Sequence, residues 1–161
     1  KLGFDNVAIL PKEKLGEMLD SWAKKYAYTE NTIHAYYSLQ KSPSALLNSI
    51  AETARKNKWN WAATMHAGAT LVSPFVRSNE THFYIEKGTA SQWIESLQLA
   101  PTEAGANVFL LEPYDDGVFY KKQDIQGISV VCNTQLYLDL NSYPKRGKEQ
   151  AEKLREKIIK F

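Results

Sequence analysis

Residues 107–132 read NVFLLEPYDDGVFYKKQDIQGISVVC. Compact apolar runs stand at its two ends, Asn107–Leu111 and Gly127–Cys132, each bounded by turn-forming residues, so both read as buried strands. Between them Asp115, Asp116 and Gly117 have the composition of a tight turn, after which Val118–Tyr120 reads as a third strand. The expected arrangement is an antiparallel meander.

Working outward, helix and strand signals alternate. Pro11 suits a first helical turn, and Leu15, Met18, Leu19 and Trp22 follow at spacings of three and four, predicting an amphipathic helix over 12–25. Ile33–Leu39, with a β-branched start and two tyrosines, predicts a strand. Ser42 stands before Pro43 as an N-cap, and Leu46, Leu47, Ile50 and Ala54 form one face of a second helix ending near Lys56. Trp59–Met65 predicts a short strand leading into a small-residue helix (Ala67, Gly68, Ala69) that Pro74 would disturb. His82–Ile85 alternates like a strand, and Thr89 caps a short helix through Trp93, Ile94 and Leu97.

Downstream of the quoted stretch, Leu136, Leu138 and Leu140 alternate as in a strand, while Thr134 as a cap favours a helix. The last element is an amphipathic helix: Ala151, Leu154 and Ile158 form its apolar stripe, and Glu149 with Lys153 and Glu156 with Lys160 are i, i+4 pairs in the favourable order. Together these elements predict an α/β fold bordering on α+β, with a mixed sheet of about five or six strands flanked by helices.

The chain has 161 residues, 43% hydrophobic and 24% charged, which suits a single domain over 1–161 able to bury a core without a disulfide or metal staple. The single Cys132 gives no sign of an oxidising compartment. No window approaches the length of an apolar membrane span, and no basic-then-apolar leader is visible, so the expected location is the cytoplasm. The net charge of +2 conceals polarity. Residues 80–117 carry seven acids against Lys87, whereas residues 145–161 carry seven bases against Glu149, Glu152 and Glu156. The chain starts at Lys1 without an initiator Met, which fits a piece of a longer protein.

Several chemistries lack their residues. A restriction-type nuclease needs an acid two positions before a lysine, and no such triplet occurs. A nucleotidyltransferase needs a Gly-Ser turn and acids one residue apart; neither is present. The phosphate-binding loop, the dinucleotide fingerprint and the nucleophile-elbow motif are also missing. His34, His66 and His82 fall in separate elements without metal-pair spacing, and Cys132 closes an apolar strand, so these read as structural residues. Neither a cofactor nor a metal is expected. Arg55, Lys56 and Lys58 precede Trp59 and Trp61, cations beside rings as single-strand binding uses them, although a helix end followed by core tryptophans explains the same pattern.

One region is more specific. Residues 133–140 (NTQLYLDL), 143–147 (YPKRG) and 150–156 (QAEKLRE) together resemble the C-terminal signature of AbiEi-like antitoxins of type IV toxin–antitoxin systems. In these bacterial transcriptional regulators an apolar helix ends in Asp-Leu, followed by Arg-Gly and a charged helix. Asn107–Pro113 and Trp61–Pro74 also resemble the family, so the likeness covers about residues 60–160. It implies a non-enzymatic regulator that contributes to operator DNA binding or antagonises a nucleotidyltransferase-like toxin without a stable complex.

Such proteins carry a winged helix-turn-helix ahead of this domain. Nothing in Lys1–Gln40 resembles one, so the chain is expected to be the C-terminal domain of a longer protein. The candidate nucleic-acid or partner residues are Lys145, Arg146, Lys148 and Arg155, with Arg55, Lys56 and Lys58. Asp139, near a helix end where the dipole disfavours an acid, is expected to be held by Arg146 or a backbone amide. Gly147 is expected to permit a tight turn before the last helix. The alternative function is a degenerate nuclease or nucleotidyltransferase-like enzyme acting on nucleic acid, with Asp115, Asp116 and Asp124 binding metal.

Overall fold

A computed structural model describes residues 10–161; of the span expected as one domain, residues 1–9 lie outside the described part. The elements are α1 (Lys12–Lys25), β1 (Thr32–Tyr36), α2 (Pro43–Asn57), β2 (Trp61–Thr64), α3 (Met65–Val72), β3 (Thr81–Ile85), α4 (Ala90–Ser96), β4 (Val108–Glu112), β5 (Gln123–Ile125), β6 (Ile128–Val130), α5 (Asn133–Ser142) and α6 (Gly147–Leu154). A wide π turn over Arg155–Ile159 continues α6. Among the described residues no helix is long and apolar enough to cross a membrane.

The six strands form one mixed sheet in the order β1-β4-β3-β2-β6-β5, with β3/β4 and β2/β6 parallel and the other neighbours antiparallel. The α/β expectation therefore holds, but the meander does not. β3 and β2 stand between β4 and β6. Val118–Tyr120 forms no strand: Asp115 accepts a hydrogen bond from the Gly117 amide at 2.6 Å and starts a 3-10 turn over Asp116–Phe119, carrying the chain off the sheet. It returns on the far side as the β5/β6 hairpin, where Gln126 and Gly127 both have positive φ, as a tight two-residue turn demands.

Strand alternation sends side chains into two cores. Trp61, Ala63, Phe83, Ile85, Val108 and Leu110 face α2 and α4, while Ala62, Tyr84 and Leu111 face α1, α5 and α6. Ser42 caps α2 through the Ala45 amide, an interaction typically contributing about 1 kcal/mol. α4, at seven residues too short to persist alone, is held by the fully buried Trp93. Thr89 stands at its N-cap position as expected, but its hydroxyl donates to the Glu86 carbonyl and makes no cap bond to the helix. The ambiguous leucines belong to helix α5, which starts at Asn133 with Cys132, not Thr134, at the cap position.

β2 runs straight into α3 through Met65, a buried non-glycine residue at φ 53°. Such a conformation costs on the order of 1–3 kcal/mol and persists only where the surroundings enforce it. Here Thr64 donates to Asp139 at 2.5 Å, and the His66 ring donates to the Lys145 carbonyl at 2.8 Å, so α5 and the turn after it hold both sides of the junction.

Asp139 is fully buried, and neither Arg146 nor a backbone amide of the described residues holds it. Its carboxylate accepts from Tyr26 (2.5 Å), Tyr84 (2.9 Å), Gln135 (2.9 Å) and Thr64, joining the segment after α1, the centre of the sheet and α5. Arg146 is turned to solvent by its own left-handed backbone and pairs with Glu149. Burial lifts the Asp139 carboxyl from 3.8 to about 6, opposed by its four donors.

The folded state therefore holds this proton more tightly than the unfolded chain. Stability from this group is complete below pH 3.8 and is lost as the pH rises through about 6, a difference of up to about 3 kcal/mol. Urea melts of wild type and Asp139→Asn between pH 4 and 8 check this. The wild type should lose stability relative to the variant up to about pH 7, with a constant difference from there to the top of the window.

Candidate nucleic-acid interface

The corner between α5 and α6 exists because two helices approach too closely for any side chain at Gly147. A Cβ there would lie 2.1 Å from the Leu140 carbonyl oxygen and 2.8 Å from the Tyr143 Cβ. The turn's left-handed residue is Arg146 (φ 57°), so the glycine serves the tight turn through close approach and not through its backbone angle. Pro144 precedes this step, and the chain reverses within Tyr143–Gly147.

Polar contacts fasten the corner to the sheet. Glu80, just ahead of β3, accepts from the Tyr143 hydroxyl and from the Lys145 ammonium. Burial pushes the Glu80 carboxyl up, but these two donors together hold it below its ordinary value. His82 stacks on Phe109 at 4.4 Å and meets the Tyr143 ring edge-on; burial pushes its imidazole down to about 4, so it is neutral at pH 7. The Nδ1 atoms of His66 and His82 are buried without hydrogen-bond partners among the described residues.

This corner brings together three of the expected bases. Lys145 and Arg146 are exposed and paired with Glu80 and Glu149. Lys148 is exposed, has no salt-bridge partner among the described residues, and lines a groove with Lys24, Asn141 and Ser142. Lys24 on α1 was not singled out in the sequence, since only packing of α1 against α5 brings it there.

Arg155 differs from the others. It bonds Asp20 at 2.5 Å, the Phe161 carbonyl at 2.6 Å and the Tyr137 hydroxyl at 3.3 Å, fastening α1 to the chain's last turn. The expected i, i+4 pairs are replaced by Arg146–Glu149 and Lys153–Glu156, both i, i+3, because Arg146 reaches Glu149 first.

The remaining expected bases lie elsewhere. Arg55, Lys56 and Lys58 leave the opposite face of the sheet at the end of α2, beside the start of β2. Trp61, which pairs with Ile85, marks that end, whereas Lys145 sits at the other end of β3 near Glu80. Trp61 packs in the core against Phe83, and the half-buried Trp59 leans on Trp93, so the core takes the first ring whole and the second in part.

Nor do the carboxylates of the enzymatic alternative converge. Asp115 and Asp124 accept from the Gly117 and Gly127 amides in their own turns. Among the described residues no three His, Cys, Asp or Glu side chains are arranged to hold a metal ion.

Gly147→Ala should force α5 and α6 apart and cost roughly 1–3 kcal/mol or more, the range for an overfilled core. Gly88→Ala, where no atom lies within 4 Å but φ is 78°, should cost only the backbone strain of a left-handed alanine, roughly 1–2 kcal/mol, with no steric part. Paired thermal melts measure the difference.

Comparison with known proteins gives one family. The family model described as "Transcriptional regulator, AbiEi antitoxin, Type IV TA system" matches residues 13–160. No curated protein and no solved structure matches the chain.

Proposed function

The chain belongs to the AbiEi antitoxin family, transcriptional regulators of type IV toxin–antitoxin systems, and on that premise we propose that it acts as a non-enzymatic regulatory domain whose α5–α6 corner meets operator DNA. In this reading it works in the cytoplasm as part of a longer regulator. It opposes a nucleotidyltransferase-like toxin without forming a stable complex with it.

The observation that carries the proposal is the placement of Lys145, Arg146 and Lys148 on one exposed corner with a rigid backbone. Cations so placed contact phosphates and release counter-ions, giving affinity that falls steeply with salt. The solvated Arg146–Glu149 pair opens readily to accept a phosphate. Lys148 and Lys24 line the same groove, which also holds Asp20, and neither forms a salt bridge among the described residues. Arg155 adds positive potential while remaining bonded to Asp20.

Anisotropy with a labelled duplex from the protein's own promoter region tests the reading. Arg146→Glu with Lys148→Glu should weaken binding and flatten its dependence on salt between roughly 50 and 200 mM. Unchanged affinity across that range would remove the corner from the interface.

A further inference from the structure

We propose that the end of the sheet where β2 begins is a second interaction surface, one that takes single-stranded nucleic acid. It deepens the nucleic-acid reading above but uses none of the α5–α6 corner. Two sequence-distant groups of cations meet there. Arg55 and Lys56 occupy the last turn of α2, and Lys58 follows it in a left-handed conformation, all three exposed. Lys121 and Lys122 arrive after the 3-10 turn, and Lys122 donates to the Asn60 side chain at 2.5 Å and to the Trp61 carbonyl at 3.2 Å. Arg55 reaches toward the β5/β6 turn, its guanidinium 3.8 Å from where a Gly127 Cβ would stand.

Nearby acids offset this charge only in part. Asp124 is occupied with the Gly127 amide, Glu86 acts on Lys122, and Glu52 lies a turn earlier on α2. Arg55, Lys56, Lys58 and Lys121 have no salt-bridge partner among the described residues.

The aromatic component is Tyr120. Its ring is 69% exposed, and Lys121 lies over it at 5.6 Å from the centroid. Trp61 is buried and Trp59 half-buried against Trp93, whereas Tyr120 stands largely in solvent next to Lys121 and Lys122. An unpaired base can stack on such a face while its phosphates meet the lysines; in a duplex the base faces are already covered. This combination selects a single strand.

The test is anisotropy of the whole chain with labelled oligo(dT) and oligo(rU) of about a dozen nucleotides and a duplex of equal length. The single strands should bind more tightly than the duplex. Tyr120→Ala should lower single-strand affinity by about tenfold and leave duplex binding unchanged. Lys58→Glu with Lys121→Glu should weaken single-strand binding and flatten its salt dependence.

Equal affinity for duplex and single strand, an unaffected Tyr120→Ala variant, or equally tight binding of poly-glutamate would overturn the proposal. Loss of single-strand binding on Arg146→Glu with Lys148→Glu, but not on Lys58→Glu with Lys121→Glu, would assign it to the α5–α6 corner. That outcome would sink this inference alone. Absence of binding to every nucleic acid would sink both.

Discussion

A carboxylate with no cation beside it among the described residues, buried at the centre of one core, is the constraint around which this domain is arranged. Removing Asp139 from water costs several kcal/mol, and its four donors compensate only while all remain in place. They come from the segment after α1, the middle of β3, the strained β2–α3 junction and α5 itself. A shift of any of these elements would leave a charge or a phenol unsatisfied. α5 is thereby fixed, and through the close contact at Gly147 it fixes the start of α6.

The two sides of the sheet are stabilised differently. Toward α2 and α4 the core is built chiefly from aliphatic and aromatic side chains, which specify volume more than direction. Toward α5 and α6 it contains Asp139, His66, His82, Thr64 and Gln150, whose bonds specify direction. Gln150 illustrates this: its buried amide accepts from the Phe75 and Val76 backbone and donates to the Ser73 carbonyl, closing the loop after α3 against α6. Exposed cations on such a frame are held at defined spacing, which matters if they are to meet regularly spaced phosphates.

The acidic middle of the sequence is spent only in part within the fold, since Glu86, Glu95, Glu103 and Asp116 stay exposed. Glu80 is used on Tyr143 and Lys145, Glu112 on His34 and the Gly88 amide, and Asp115 on its own turn. The basic end is likewise partly committed, with Arg155 fastening α1 in place. Net charge along the chain is therefore a poor guide to what the surface offers. Which charges remain unpaired is decided by packing.

Local signals were sufficient for most elements. The periodicity of α1, the Ser42-Pro43 start of α2, the alternation of β3 and the apolar run of β4 each reflect a backbone preference contained within a few residues, as does the family signature from Asn133 to Glu156. Strand order was not legible, because the β4–β6 separation depends on β2 and β3 inserting between them, and nothing near Val118 encodes that. The true partners of Asp139 lie 55 to 113 residues away, apart from Gln135 on its own helix. Lys24 and Tyr120 acquire their neighbours only when α1 docks and the 3-10 turn leaves the sheet. The sequence by itself determined most of the elements, the α/β class and the family, since these follow from local propensity and pattern. The tertiary structure alone decided which charges are spent inside the fold and which face solvent, because that depends on contacts between residues far apart in the chain.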